Sequence, residues 1–231
     1  MQRIGFSTGA LARGDFRAAL ATLARLKVTV AELSALRAAE LDPLIDALPT
    51  LDLSAFTFVS IHAPSRFSRE SESAVVSRLQ ALAAQGFFVV VHPDVIFTPP
   101  LWLGLGDHLL IENMDRRKPV GRTVGELVGF FEQLPQARFC FDVGHARQVD
   151  PSMTEAALLL DAFGDRLAEV HISEVNTASR HDPISLNAVR AFSTVLPRIP
   201  PHVPIIIATL LDQAQSDPAT ELKRAESSLT P

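Results

Sequence analysis

The stretch Phe139 to Ala146, FCFDVGHA, ends an apolar run in a carboxylate and, three residues later, an imidazole. Strand alternation puts Phe139 and Phe141 on one face, and Cys140 and Asp142 on the other. With Gly144 between them, Asp142 and His145 can converge on one point, as a metal site or an acid/base pair requires. The competing assignment is an Asp142 that caps the next helix, with His145 in solvent. Other apolar runs carry the same chemistry. FTFVSIH ends in His62, FFVVVH in His92 and LLIE in Glu112, while TVAELS carries Glu32 and LAEVHI carries His171. His181 follows in the polar loop after His171. Five of the seven histidines therefore sit at or just beyond strand ends, in company with carboxylates. That donor set suits zinc, with manganese, iron or cobalt as alternatives. His108 and His202 precede the apolar runs of their strands and are expected to be structural or solvated.

Positioning these groups together takes a regular scaffold. Strands are expected over residues 3–7, 29–34, 56–62, 87–92, 109–112, 138–142, 167–172 and 204–208. Helical patterns lie between them, beginning with an Asp15-capped segment to Lys27 and including one capped by Thr123, with Glu126 three residues on, and one capped by Thr154. Ser7, Glu32, His62, His92, Glu112, Asp142, His171 and Ala208 mark one position per strand. Their spacings are 25, 30, 30, 20, 30, 29 and 37 residues. Eight such βα units predict an α/β fold, a (β/α)8 TIM barrel, as a single domain over residues 1–231. Pro99-Pro100 predicts a short or irregular fourth helix. A doubly wound open sheet is the runner-up, but no GxGxxG or GxxxxGK[ST] pattern follows a strand. In a barrel, the C-terminal strand ends share one face, where active sites are built.

The composition limits the partners. A content of 47% hydrophobic and 20% charged residues implies a substantial core, and a net charge of −5 argues against a nucleic-acid surface. A small-molecule substrate is the expected partner. Cys140 is the only cysteine, so no intramolecular disulfide forms and a reducing cytoplasm is expected. The first ten residues lack a charged-then-apolar leader, and the apolar runs are far shorter than a bilayer span. Cys140 is expected to pack in the core. Glu169 shares a strand face with His171 and needs a partner inside the barrel, for which Arg3 or Arg138 is available.

The strings VSIHAP, VVVHPD, LLIENM, FCFDVGHA, EVHISE and SRHD, in this order, resemble the xylose isomerase-like TIM barrels. That superfamily holds sugar isomerases and epimerases as well as apurinic endonucleases of the endonuclease IV type. By analogy with the latter, the resemblance implies that His62, His92 and Glu112 hold one metal. Glu112 would bridge to a second, shared with Asp142 and His171, and His145 and His181 would help hold a third. Glu112 and Glu32 are the candidate catalytic residues; Arg180 and Asn113 are the candidates for binding substrate. Two departures stand out. Ala208 occupies the place where the eighth strand of the family carries a ligating glutamate, unless Asp212 supplies that carboxylate instead. Ser179-Arg180-His181 replaces an Asp-Arg-His pattern, with Asp182 as a substitute on the far side of the histidine.

Three functions follow. The first is a metal-dependent isomerase or epimerase of a small sugar or sugar phosphate, with Glu112 or Glu32 as base. The second is a metal-dependent phosphoester hydrolase of the endonuclease IV kind, favoured by the pair His62 and His92. The third is a barrel that binds a metal or metabolite without turnover, for which Ala208 argues.

Overall fold

The computed structural model describes residues 2–211 and 217–230. Eight parallel strands close into a barrel: β1 (Ile4–Ser7), β2 (Val30–Ser34), β3 (Phe58–His62), β4 (Phe88–Val91), β5 (Leu109–Glu112), β6 (Arg138–Asp142), β7 (Leu167–Ile172) and β8 (Ile205–Ile207). Each pairs with its chain neighbours, and β8 closes against β1 with Phe6 opposite Ile207. The expected (β/α)8 barrel is the observed fold.

Alternation along β6 explains how the wall is built. Phe139 and Phe141 turn outward, where Phe139 meets Phe131 and Phe163 at ring separations of 6.2 and 5.5 Å. Cys140 turns inward and packs with Val90 and Leu110, all three without exposure. Phe88 and Ala168 close this apolar plug at the lower end of the barrel, where Phe58 stacks on Phe88 at 5.6 Å. Both layers exclude water, one between barrel and helices and one inside the barrel.

The link from β4 to β5 is irregular, as the proline pair predicts. It runs through Pro93–Val95, the single turn Pro99–Trp102 and a 3-10 segment, Leu103–His108. Buried Glu72 holds it in place: its Oε1 accepts from Phe97 N (2.7 Å), Thr98 N (2.9 Å) and Trp102 Nε1 (2.9 Å). These three donors hold the Glu72 carboxyl below its ordinary value, against the opposing pull of burial.

Other connections differ from expectation. Short helices follow two strands directly, Thr8–Ala12 after β1 and Val143–Val149 after β6, the first without a counterpart among the expected helical patterns. Thr154 is the first residue of its helix, and Met153, in a left-handed conformation, occupies the cap position. Thr123 caps as expected, accepting from Glu126 N, but the Glu126 carboxylate receives Arg122 N in place of Thr123 N. The polar loop after β7 contains a two-stranded hairpin, Glu174–Val175 against His181–Asp182.

Candidate metal centre

The strand ends converge. His62, Glu112 and Asp142 end β3, β5 and β6; His92 and Ala208 follow directly on β4 and β8; and His171 lies beside Asp142 in the β6–β7 register. All of these but Asp142 line a cavity of about 280 Å³, which is also lined by Glu32, His145 and His181.

Glu112 is the hub. Its Oε2 lies 3.4 Å from His62 Nε2 and 3.2 Å from His92 Nε2. Its Oε1 lies 3.1 Å from His171 Nδ1 and 3.6 Å from His145 Nδ1. The two oxygens thus serve two adjacent groups. His62 Nδ1 meets the Ala63 carbonyl at 2.8 Å; donating there, the ring keeps its Nε2 lone pair for an ion. Three sets bring donor atoms within 4.8 Å of one another around this hub: His62–His92–Glu112, Glu112–Asp142–His171 and Asp142–His145–His181. Their burial is the test of fit. Glu112 Oε2 and Asp142 Oδ2 are buried with no hydrogen-bond partner, a costly state for a carboxylate oxygen unless a cation faces it. The donors are the nitrogens and oxygens that a zinc-type ion takes.

Asp142 takes the capping role and still faces His145. Its Oδ1 caps the Val143–Val149 helix by accepting from His145 N at 2.7 Å, and its other oxygen faces His145 Nδ1 at 3.5 Å. His145 is therefore on the first turn of a helix and buried. A Cβ on Gly144 would come within 2.3 Å of the Ser173 carbonyl, so only glycine lets this turn pack against the end of β7.

Charge states follow from burial and neighbours. Burial pushes His92 down to about 4 despite the pull of Glu112, leaving a neutral imidazole. Burial and the nearby His145 push His181 down to about 3. Burial raises Asp142 to about 6, with Glu112 adding to the effect against an opposing His145. Burial opposes charge on His62 and His171, but Glu32 and Glu112 outweigh it and raise both, with Cys140 adding to the rise at His171. Glu112 is lowered, the histidines around it overcoming its burial.

Other candidate residues are placed differently from expectation. Asn113 does not line the cavity. Its side chain grips both peptide groups of Asp142, donating to the carbonyl and accepting from the N–H at 2.8 Å each. It thereby fixes the motif in place of a substrate. Arg180 is exposed and pairs with Asp182 at 3.6 Å. Asp182 also accepts from Asn176 at 2.8 Å and joins none of the ligand sets. Ser179 donates to Asp115 at 2.7 Å, a carboxylate on the cavity wall that no sequence motif marks. The cations at the mouth are Arg66, Arg117 and Lys118, the last held by Asp94 at 2.8 Å. Their only signal in the sequence is adjacency to the VSIHAP and LLIENM strings. Glu169 is partnered by Ser60 Oγ (3.1 Å) and His171 Nε2 (2.9 Å), not by arginine. Arg3 instead reaches the His202 carbonyl, and Arg138 reaches Asp107. His108 packs on Phe88 at the lower end, away from the cluster. Ala208 faces the cavity, and Asp212 lies outside the described residues.

No protein-family model matches the sequence, and no curated protein matches it significantly. Solved structures do match. Endonuclease IV from Thermus thermophilus superposes with a TM-score of 0.61 at 20% identity, covering 97% of this chain and 96% of that one. An L-ribulose 3-epimerase gives 0.60 at 14% identity over 98% and 86% of the two chains. A xylose isomerase-like TIM barrel protein from Mycobacterium smegmatis, solved in complex with magnesium, gives 0.58 at 13% identity over 100% and 98%. No helix among the described residues is long and apolar enough to cross a membrane. In fold, the chain is a TIM barrel similar to these structures.

Proposed function

We propose that this protein is a metal-dependent hydrolase of small phosphoesters, with a phosphorylated sugar as the substrate class. One observation carries the reading: the two oxygens of Glu112 face separate ligand sets, His62–His92 on one side and His171–Asp142 on the other. A bridging carboxylate is what a pair of closely spaced ions needs. Held by these residues, such ions would supply a nucleophilic water at neutral pH and would polarise the phosphoryl oxygens. The chain's own groups do the rest. Arg66 and Lys118 at the mouth attract and orient an anionic phosphate. Neutral His92 and His181 keep lone pairs available, and the buried walls exclude bulk water. A cavity of about 280 Å³ accommodates a small molecule rather than a duplex.

Isomerisation or epimerisation is the second reading, favoured by Glu32, which lines the cavity and presents an oxygen without a hydrogen-bond partner. It ranks lower because Glu112 is engaged on both oxygens and Ala208 puts no carboxylate opposite it, so the pair of bases that works across a carbon centre is missing.

Metal-loaded protein assayed against panels of sugar phosphates and small phosphodiesters tests the assignment. Release of phosphate or alcohol that is lost in Glu112→Gln is expected. Interconversion of sugar isomers without hydrolysis would replace this reading with the second, and inertness in both panels would leave a binding barrel.

A further inference from the structure

His171 has a second nitrogen, and its surroundings are unusual. Nε2 lies 2.9 Å from Glu169 Oε1 and 3.1 Å from Glu32 Oε2. Cys140 joins from β6, the residue paired with Glu169 across the β6–β7 ladder. Cys140, Glu169 and His171 offer donor atoms within 4.8 Å of one another. Glu32, Cys140, Glu169 and His171 are all at most 2% exposed.

One ring N–H satisfies one acceptor. Here it would have to serve two carboxylates and a thiol, and the Oε2 atoms of both Glu32 and Glu169 have no hydrogen-bond partner. Arg3 and Arg138, the arginines expected to balance this charge, are engaged elsewhere. Two buried carboxylates share a single imidazole and each keeps an oxygen without a partner, an arrangement that a buried cation satisfies.

We propose that Cys140, Glu169, His171 Nε2 and Glu32 form a buried transition-metal site, one tier below the cluster at the mouth. Sulfur, nitrogen and two oxygens make a four-donor set of the zinc or cobalt type. Binding replaces the Cys140 thiol proton and the proton on His171 Nε2, both of which leave to solvent. The remaining ring proton of His171 resides on Nδ1, where Glu112 Oε1 accepts it at 3.1 Å. A neutral His171 therefore serves this tier or the Glu112–Asp142–His171 set, but not both. The upper set has three protein ligands, because Ala208 contributes none; the lower tier has four. The cavity reaches both Glu32 and His171, which gives an ion a route from the mouth. This assignment does not rest on the hydrolase reading, and an ion in the lower tier competes for His171 with the second ion of that reading.

Cys140 is the only cysteine, so any thiolate-to-cobalt charge-transfer absorption of the folded chain must come from it. Metal-stripped full-length protein titrated with cobalt(II) should develop that near-ultraviolet band. Cys140→Ala should lose the band and bind the cobalt shared through His171 about tenfold or more weakly, and Glu169→Gln should weaken the band-forming step by about tenfold or more. Wild-type protein that takes up cobalt without the band overturns the proposal, as does Cys140→Ala that binds cobalt with the affinity and visible spectrum of the wild type. In either case Glu169 only orients the ring of His171. The wild-type band decides the question even where a variant fails to fold.

Discussion

Two tiers of the barrel interior differ by a single step along the same strand faces. On the lower tier, β4, β5 and β6 contribute Val90, Leu110 and Cys140, which pack together without exposure. Two residues further on, the same faces carry His92, Glu112 and Asp142. A two-residue step is about 7 Å of strand, so chemistry and packing are stacked with no spacer between them. The other side of the barrel does not follow this division. There β2, β3 and β7 put Glu32, Ser60 and Glu169 at the middle level, so polar groups reach deeper under His171 than under His92. A barrel tolerates polarity in its interior only where each group finds a partner, and on this side the partners run out.

The sharpest test of the division compares two histidines. His92→Ala should remove nearly all of the ion held with His62 and Glu112, because two protein ligands seldom suffice for zinc. His108→Ala, in the lower end, should leave metal content unchanged. Equal losses measured by elemental analysis would erase the distinction between the tiers. A second test works from the wall. Phe139→Ala should cost about 3–5 kcal/mol of unfolding free energy while the folded fraction retains its metal stoichiometry. A well-folded variant that has lost metal would show that the outer layer and the mouth are not separable.

Glu72 sharpens the comparison as a buried carboxylate held through one oxygen by three N–H groups instead of imidazoles, its other oxygen lacking a partner as at the mouth. Glu72→Gln should cost about 1–3 kcal/mol near pH 7 without changing metal content. Its carboxyl sits below the ordinary value of 4.5, so its contribution is fully present above that value and is lost as pH falls through the folded value. Denaturant midpoints for wild type and variant should therefore converge on the acid side; a gap independent of pH would count against the assignment. The smallest effect is expected at the rim. Ala208→Glu should raise occupancy of the Glu112–Asp142–His171 set and lower the metal concentration for half-saturation. Unchanged binding would mean that the residue after β8 does not reach the ions.

The strand ends are legible in the sequence because a polar side chain that terminates a buried apolar run has few roles other than function. The bounds of β5, β6 and β7 match the expected ones, and the donor residues chosen from them meet around Glu112. What escapes a reading of the sequence is of two kinds. Helices of five and seven residues after β1 and β6 show no periodicity of their own, which is why His145 looks like a loop residue. Side-chain direction is the other. Asn113 adjoins Glu112 in the chain, but alternation sends it toward Asp142, and Arg180 beside His181 points to the opposite face of a two-residue strand. Charge alone likewise suggests arginine for Glu169, where proximity across the ladder supplies His171 and Ser60.

The irregular link between β4 and β5 also decides how this protein can be watched. Trp102 is the only tryptophan, there is no tyrosine, and the indole is fully buried with its N–H on Glu72. Intrinsic fluorescence therefore reads one short segment of the wall, against Phe67 at a ring separation of 6.5 Å. Emission from the folded chain should be blue-shifted and shielded from aqueous quenchers. Titrating an ion into the mouth should leave it nearly unchanged, while unfolding shifts it in full. The same lamp that follows denaturation is thus blind to loading, and the two events can be recorded on one sample without confusing them.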